Sequence, residues 1–217
     1  MDAPSRTPGQ TSAPSVYGSE ANDPPADRAR DRAAGLDLEG VRRRDPRALG
    51  DFFEAYFDRV FSLLKRLLGD PVAAQDAAQD VFLKVHRGAH QLDPTRDPGP
   101  WIMAIATNVC RDLWRSGAYR MTSTAASFEA TPGLADSLAS GARDPEGDAI
   151  AGERMRLVQE ALGRLREPLR EVVVLREYEG LGYEQIAEIT GLNEAAVRKR
   201  YSRALAELGK ILEKAGL

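Results

Sequence analysis

The chain of 217 residues has one cysteine, Cys110. A single thiol closes no intrachain disulfide, so the fold is expected to stand on packing, as suits a reducing cytoplasm. Cys110 lies in an apolar stretch and reads as a buried structural thiol. Long hydrophobic runs are lacking too. The longest, Trp101–Ala106 and Val172–Leu175, are far too short to cross a bilayer. No charged head followed by an apolar stretch opens the chain, so no signal peptide and no membrane insertion are expected. Histidine is scarce, with two in all. His86 and His90 stand four apart, a spacing that would set both on one helix face, but no third ligand lies near. No metal and no other cofactor are expected. A phosphate-cradling glycine loop, a nucleophile motif and a paired-carboxylate site are all missing, which argues against an enzyme.

What remains is a helical composition, 42% hydrophobic and 29% charged with only 6% aromatic residues. The net charge of −3 does not advertise a nucleic-acid binder, but it hides a polarity. Residues 1–39 carry seven acids against four bases, and residues 123–153 six acids against one base. Basic charge is therefore concentrated elsewhere, as a modular DNA binder requires.

Residues 1–34 are rich in Pro, Ser, Ala, Asp and Gly and are expected to form a disordered tail. Order is expected from about residue 35. A short helix around Leu36, Leu38 and Val41 precedes Asp45-Pro46, which opens a long one. There Leu49, Phe52, Phe53, Tyr56, Val60, Leu63, Leu64, Leu67 and Leu68 keep a helical period. Gly69-Asp70-Pro71 stops it. A third helix spans about Val72 to Arg87, with Ala77, Val81, Phe82 and Val85 inward. A proline-rich loop, His90–Pro100, leads to a fourth helix over Trp101–Ser116.

Residues 117–148 turn to Ser, Thr, Ala, Gly and acids and read as a flexible linker. Extended, its roughly thirty residues reach about 100 Å. Helical patterning returns over Ile150–Leu165, with Met155, Val158, Leu162 and Leu165 in register, and Pro168 opens a helix through Tyr178. The expected fold is all-α: two small helical domains, residues 35–116 and 149–217, on a flexible tether.

The stretch Leu181–Leu208 reads as two helices around a tight turn. Gly191 closes the first in a left-handed conformation. Asn193 caps the second with its side-chain oxygen. Val197, Tyr201, Leu205, Leu208 and Leu212 form its buried stripe, while Arg198, Lys199, Ser202 and Arg203 fall on other faces. From Val197 to Arg203 there are four basic residues and no acid. Such charges are often only a solvated face. With Ala187, Gly191 and Val197 at the spacing of two steeply crossing helices, the stretch reads as a helix-turn-helix whose second helix suits a major groove.

Three further stretches extend the picture. AAQDAAQDVFLKVHR (Ala73–Arg87), WIMAIATNVCRDLWR (Trp101–Arg115) and LREYEGLGYEQIAEITGL (Leu175–Leu192) occur in this order. Together they resemble the extracytoplasmic-function (ECF) group of bacterial RNA polymerase sigma factors. The first is similar to that family's polymerase-binding helix, the second to its strand-opening helix and the third to the entry into its second domain.

The resemblance implies a non-catalytic initiation factor with a region 2 domain at 35–116 and a region 4 domain at 149–217. It implies that Asp76, Gln79, Asp80, Val81 and Phe82 dock on the clamp of the largest polymerase subunit, with the flap as a further contact. Trp101, Asn108, Asp112 and Arg115 would serve the downstream (−10) element and the melted strand. An amide such as Asn108 can donate to and accept from a flipped base. Trp101 reads equally as a core anchor, and Asp112 with Arg115 as an intrahelical pair. Arg198, Lys199, Ser202 and Arg203 would meet the upstream (−35) element as duplex DNA. Arg200 would face phosphate or a neighbouring helix.

The linker acids Glu129, Asp136, Asp144, Glu146 and Asp148 would line a path through the polymerase or merely solvate a spacer. An anti-sigma partner is implied, as is a cytoplasmic location, nucleoid-associated when polymerase-bound. The chain departs from the family pattern at His86, Leu92, Ala104, Thr107, Ala195, Ala196 and Lys199, so its promoter preference is expected to be its own. The rival reading is a helix-turn-helix regulator that binds duplex DNA without polymerase. It accounts for residues 150–212 but leaves the Gln75–Phe82 face and the Trp101–Arg115 helix unexplained.

Overall fold

The computed structural model describes residues 35–116 and 145–214, and within them every regular element is helical. In chain order these are α1 (Leu38–Arg42), α2 (Pro46–Leu68), α3 (Pro71–Gly88), a 3-10 turn (Ala89–Gln91) and α4 (Gly99–Arg115). There follow α5 (Pro145–Arg164), α6 (Glu167–Val173), a π-helical turn (Val174–Tyr178), α7 (Tyr183–Thr190) and α8 (Glu194–Lys214). The expected tail and most of the expected linker lie outside the described residues.

Local chemistry sets the helix ends. The Asp45 carboxylate accepts from the backbone N–H groups of Arg47 and Ala48, both at 3.0 Å, and Pro46 follows in the first turn. Gly69 ends α2 in the left-handed conformation at φ 76°. Asp70 and Pro71 repeat the opening device for α3, with Val72 N donating to Asp70 at 2.9 Å. Helix α4 starts two residues earlier than its apolar pattern suggests, because Asp97 accepts from Gly99 N at 2.8 Å and organises the turn.

The first domain buries one stripe of α2 (Phe52, Tyr56, Val60, Leu63, Leu64, Leu67) against α3 and α4. Helix α3 offers mainly small side chains, Ala74, Ala77 and Ala78, which let it lie close to α2. Helix α4 adds Ile102, Met103, Ala106, Val109 and Cys110. Cys110 is fully buried, and desolvation pushes its thiol pKa well up, which bears out the structural reading. Each fully buried leucine here stabilises by roughly 1.5–3 kcal/mol.

In the second domain Leu162, Leu165, Leu169, Val172, Val173, Leu175, Leu181, Ile186, Ile189, Val197 and Ala204 close the core. Gly191 is left-handed at φ 67°, and Ala196 N donates to Asn193 Oδ1 at 2.8 Å, as expected for the helix-turn-helix. No Cβ at Gly191 would clash, so only backbone strain opposes a side chain there. Gly191→Ala should therefore lower stability by about 1 kcal/mol, or roughly 2–4 °C in Tm, with Gly191→Asn milder. Thermal melts followed by circular dichroism check this.

Four expectations need correction. Helix α5 begins at Pro145, not Ile150, so Glu146 and Asp148 belong to a helix rather than to the linker. Met155 is 51% exposed and does not join the buried stripe of α5. Leu205 is 45% exposed and Ala204 takes the buried place, one residue of helical rotation from the expected stripe. The helix through Tyr178 is not uniformly α: its last part, Val174–Tyr178, is a π turn.

The two domains also touch: α2 packs on α5, α6 and the π turn, and α4 packs on α7. The seam is polar. Arg59 Nε meets Glu179 Oε2 at 2.6 Å with both side chains almost wholly buried. Arg111 Nη2 meets Glu171 Oε1 at 2.5 Å, and its Nη1 donates to Ile189 O at 3.0 Å. Arg66 lies 4.3 Å above the Tyr178 ring.

Candidate functional site

Three surfaces carry the sequence-predicted residues. On α3, Asp76, Gln79 and Asp80 stand exposed on one face, since residues three and four apart share a side of a helix. Phe82 is half-buried beside them, its ring 4.6 Å from Phe53 and 6.3 Å from Phe57. Phe53 itself is exposed, so an aromatic ridge from α2 adjoins the acidic face. Val81 is different. It is completely buried in the first core and supports the face from beneath instead of presenting a contact.

On α4, Asn108 is exposed and its Oδ1 accepts from Arg111 Nη1 at 3.0 Å. Trp101 is half-buried and packs edge-on against Phe52 with centroids 6.4 Å apart, so the anchoring role is realised. Asp112 and Arg115 do pair, at 3.2 Å, and Lys84 of α3 joins them at 3.2 Å from Asp112. Such exposed pairs contribute little stability, typically below about 1 kcal/mol, and release easily. Thr107 is fully buried, its hydroxyl donating to Met103 O at 2.6 Å. Its difference from the family pattern therefore lies in the core, not on the Asn108 face.

On α8, Arg198, Lys199, Ser202 and Arg203 are all exposed. Arg198 pairs with Glu194 one turn back and lies 4.2 Å over the Tyr183 ring. The ring and carboxylate fix the reach of the guanidinium along the helix. Beneath it, Tyr201 donates to Glu177 Oε1 at 2.5 Å. Desolvation first, and then this bond to a carboxylate, push the Tyr201 pKa up to about 12. Arg200 is half-buried, turned toward Glu171 and the cleft between α4 and the second domain. That agrees with a role against a neighbouring helix.

No helix of the described residues is long and apolar enough to cross a membrane, and no group of acidic, cysteine and histidine side chains among them is arranged to hold a metal.

The comparisons with known proteins divide the chain in the same way. Residues 52–120 match the Sigma-70 region 2 family, and residues 155–208 match the Sigma-70 region 4 family. The RNA polymerase sigma factor CarQ of Myxococcus xanthus is 31% identical over 175 residues, covering 81% of this chain and 95% of CarQ. The chain belongs to the ECF group of RNA polymerase sigma factors. This sigma factor is also 27% identical over 177 residues to the ECF sigma factor SigW of Bacillus subtilis, covering 81% of this chain and 94% of SigW. Among solved structures it resembles CnrH in complex with the cytosolic domain of CnrY. The TM-score is 0.54 at 25% identity, over 88% of this chain and 99% of that one.

As a member of that family, it binds RNA polymerase and directs promoter-specific initiation. A duplex-binding regulator would account for the region 4 match alone. The family is not enzymatic.

Sequence reasoning passed over the residues of the seam. Arg59, Arg111, Arg170, Glu171 and Glu179 are charged positions within helical patterns, and their partners lie up to 120 residues away. No local spacing marks such a pair. The buried indole of Trp114, whose Nε1 lacks a hydrogen-bond partner, was also missed beside the cleft.

Proposed function

We propose that this sigma factor engages core polymerase through α3 and reads two promoter elements with α4 and α8. Asp76, Gln79 and Asp80 supply acidic and hydrogen-bonding groups, and Phe82, backed by Phe53 and Phe57, supplies an apolar anchor for the clamp of the largest subunit. Asn108 reads a base of the melted downstream element, Trp101 holds the start of its helix, and Asp112 and Arg115 set the surrounding charge. Arg198, Lys199, Ser202 and Arg203 meet the upstream duplex, by base edges or phosphates. Residues 117–144 join the two domains along the polymerase, their acids Glu129, Asp136 and Asp144 standing in for nucleic acid. The factor works in the cytoplasm, at the nucleoid once bound to polymerase. An anti-sigma protein holds the unbound form, a reading supported by the likeness to CnrH, whose structure is in complex with the cytosolic domain of CnrY.

The observation that carries this reading is one chain presenting both faces: exposed acids beside an aromatic ridge on α3, and an exposed basic face on α8. Co-purification with core polymerase tests the first half. Asp80→Arg with Phe82→Ala places a like charge at the interface and removes its anchor, and should weaken core binding at least about tenfold. Undiminished binding by the folded variant would remove α3 as the docking face.

A further inference from the structure

We propose that an arginine patch at the corner between α1 and α2 holds the sugar–phosphate backbone of the melted strand where that strand leaves α4. The run Val41–Arg47, VRRRDPR, carries four arginines and one acid, and Arg42, Arg43, Arg44 and Arg47 are all exposed. Helix α1 packs on the 3-10 turn that follows α3. Arg44 reaches across the same junction, its Nη2 donating to Arg87 O at 2.9 Å. Two hydrogen bonds from Thr95, and then the charges of Arg96 and Arg42, hold the Asp93 carboxyl below its usual range, so both guanidinium groups lie near that acid. Arg87 and Arg96 are exposed as well. Three separate segments thus bring their arginines to one surface.

The acids of this surface are engaged, and most of its arginines are not. Asp45 accepts from the first N–H groups of α2, Asp93 from Thr95, and Asp97 from Gly99 N. Glu39 pairs with Arg42 at 3.6 Å. Arg43, Arg47, Arg87 and Arg96 make no side-chain hydrogen bond or ion pair among the described residues. A cluster of exposed like charges repels itself and adds nothing to the stability of the fold, so it suits an anionic partner. Arg44 is a second, independent sign. At φ 61° it is the one non-glycine residue of positive φ among the described residues, a conformation that glycine or asparagine adopts with less strain. The backbone there bears strain while carrying a guanidinium with donors to spare.

The patch also lies on the path of the strand. The Trp101 ring comes within 4.0 Å of where a Cβ on Gly88 would sit. The start of α4 therefore stands on the end of α3, beside Arg87. Asn108 is two helical turns further along α4, about 10 Å away. A strand with one base held at Asn108, running toward the start of α4, passes Trp101 and then meets the arginines. Cations that track the backbone, with an aromatic ring beside them, are the usual means of gripping single strands. The acidic face of Asp76 and Asp80 on α3 offers no such path.

The assignment rests on the proposed reading of the melted element by α4, and the test separates the two. Holoenzyme made from the full chain and core polymerase is titrated, at several salt concentrations, with promoter DNA whose downstream element is held open by mismatches. Arg43→Ala with Arg47→Ala and Arg96→Ala should lower affinity at least about tenfold. It should also reduce the salt slope by about two, at roughly 0.7 per phosphate of single strand, with base preference unchanged. Arg44→Gly should keep Tm within about 2 °C of the wild type while weakening binding several-fold, and Arg44→Lys should retain the salt slope. An Arg44 that only braced the turn would lower Tm as glycine and leave the slope alone. Neutral methylphosphonate linkages beyond the base read at Asn108 should weaken the wild type and leave the triple variant unaffected. Asn108→Ala should change base preference and keep the salt slope; if preference stays the same, the α4 reading fails, and the patch is still judged by its own slope. An unchanged slope in the folded triple variant, or a loss of core binding in its place, overturns the proposal.

Discussion

Arg170→Met should lower the melting temperature by roughly 6–12 °C. The Arg170 guanidinium donates to Leu162 O at 2.8 Å, Gly163 O at 2.7 Å and Leu165 O at 3.0 Å, closing the C-terminal end of α5, and to Leu67 O at 2.6 Å. The last carbonyls of a helix have no partner within it, and a cation there also answers the negative end of the helix dipole. One side chain thus seals the ends of two helices, one from each domain. Methionine keeps much of the volume but offers no donor, so several carbonyls are left facing an apolar contact. Each orphaned acceptor costs about 1–3 kcal/mol, and partial entry of water reduces the sum to about 3 kcal/mol. For a chain of this size each kcal/mol corresponds to roughly 2–4 °C. A shift below about 2 °C would mean that water or a rearranged loop satisfies those carbonyls, and that Arg170 is not the seal described here. Arg170→Lys, with fewer donors in a different geometry, should fall between the two.

The second large effect belongs to α8. Changing Arg198, Lys199 and Arg203 together to alanine should reduce the affinity of holoenzyme for its promoter at least about a hundredfold, while core binding stays intact. A base contact is worth about 1–3 kcal/mol, and a phosphate contact adds about one unit to the salt slope. Single variants separate the two cases. One that touches a base relaxes preference at one position, whereas one that touches phosphate weakens all sequences alike and flattens the salt dependence. Arg198 is the better candidate for a base, because Tyr183 and Glu194 fix its position before DNA arrives. Titration of promoter DNA at several salt concentrations decides it. If the triple variant initiated as well as the wild type, α8 would not be the reading helix.

The parts of this fold that were legible in the sequence are those settled within one helical turn. Asp45-Pro46, Gly69-Asp70-Pro71, Gly191 and Asn193 each fix a helix end with atoms a few residues away, and each does so as expected. Periodicity also found the inward side of α2 and α3, except that Phe53 is exposed and Phe82 only half-buried. It failed at Met155, which is exposed, and at Leu205, where the buried stripe runs through Ala204 one residue away. The exposure of Asp76, Asp80, Arg198, Lys199 and Arg203 followed from that same period.

The docking of the domains was not legible at all. Arg59 and Glu179 look like surface charges until two helices from distant parts of the chain meet around them. A buried ion pair has no signature in either partner's neighbours, because each residue is as polar as an exposed one. The composition of residues 117–148 pointed to a flexible linker, and a long connection permits docking as readily as it permits distance.

The most direct measurement is run-off transcription with purified core polymerase and a panel of genomic promoters. Adding the full chain should give new, promoter-specific initiation. This should be lost with Asp80→Arg plus Phe82→Ala and with the α8 triple variant, while the unbound protein should grip duplex DNA weakly. Tight duplex binding by the chain alone, together with no new transcript from core polymerase, would contradict the proposed function.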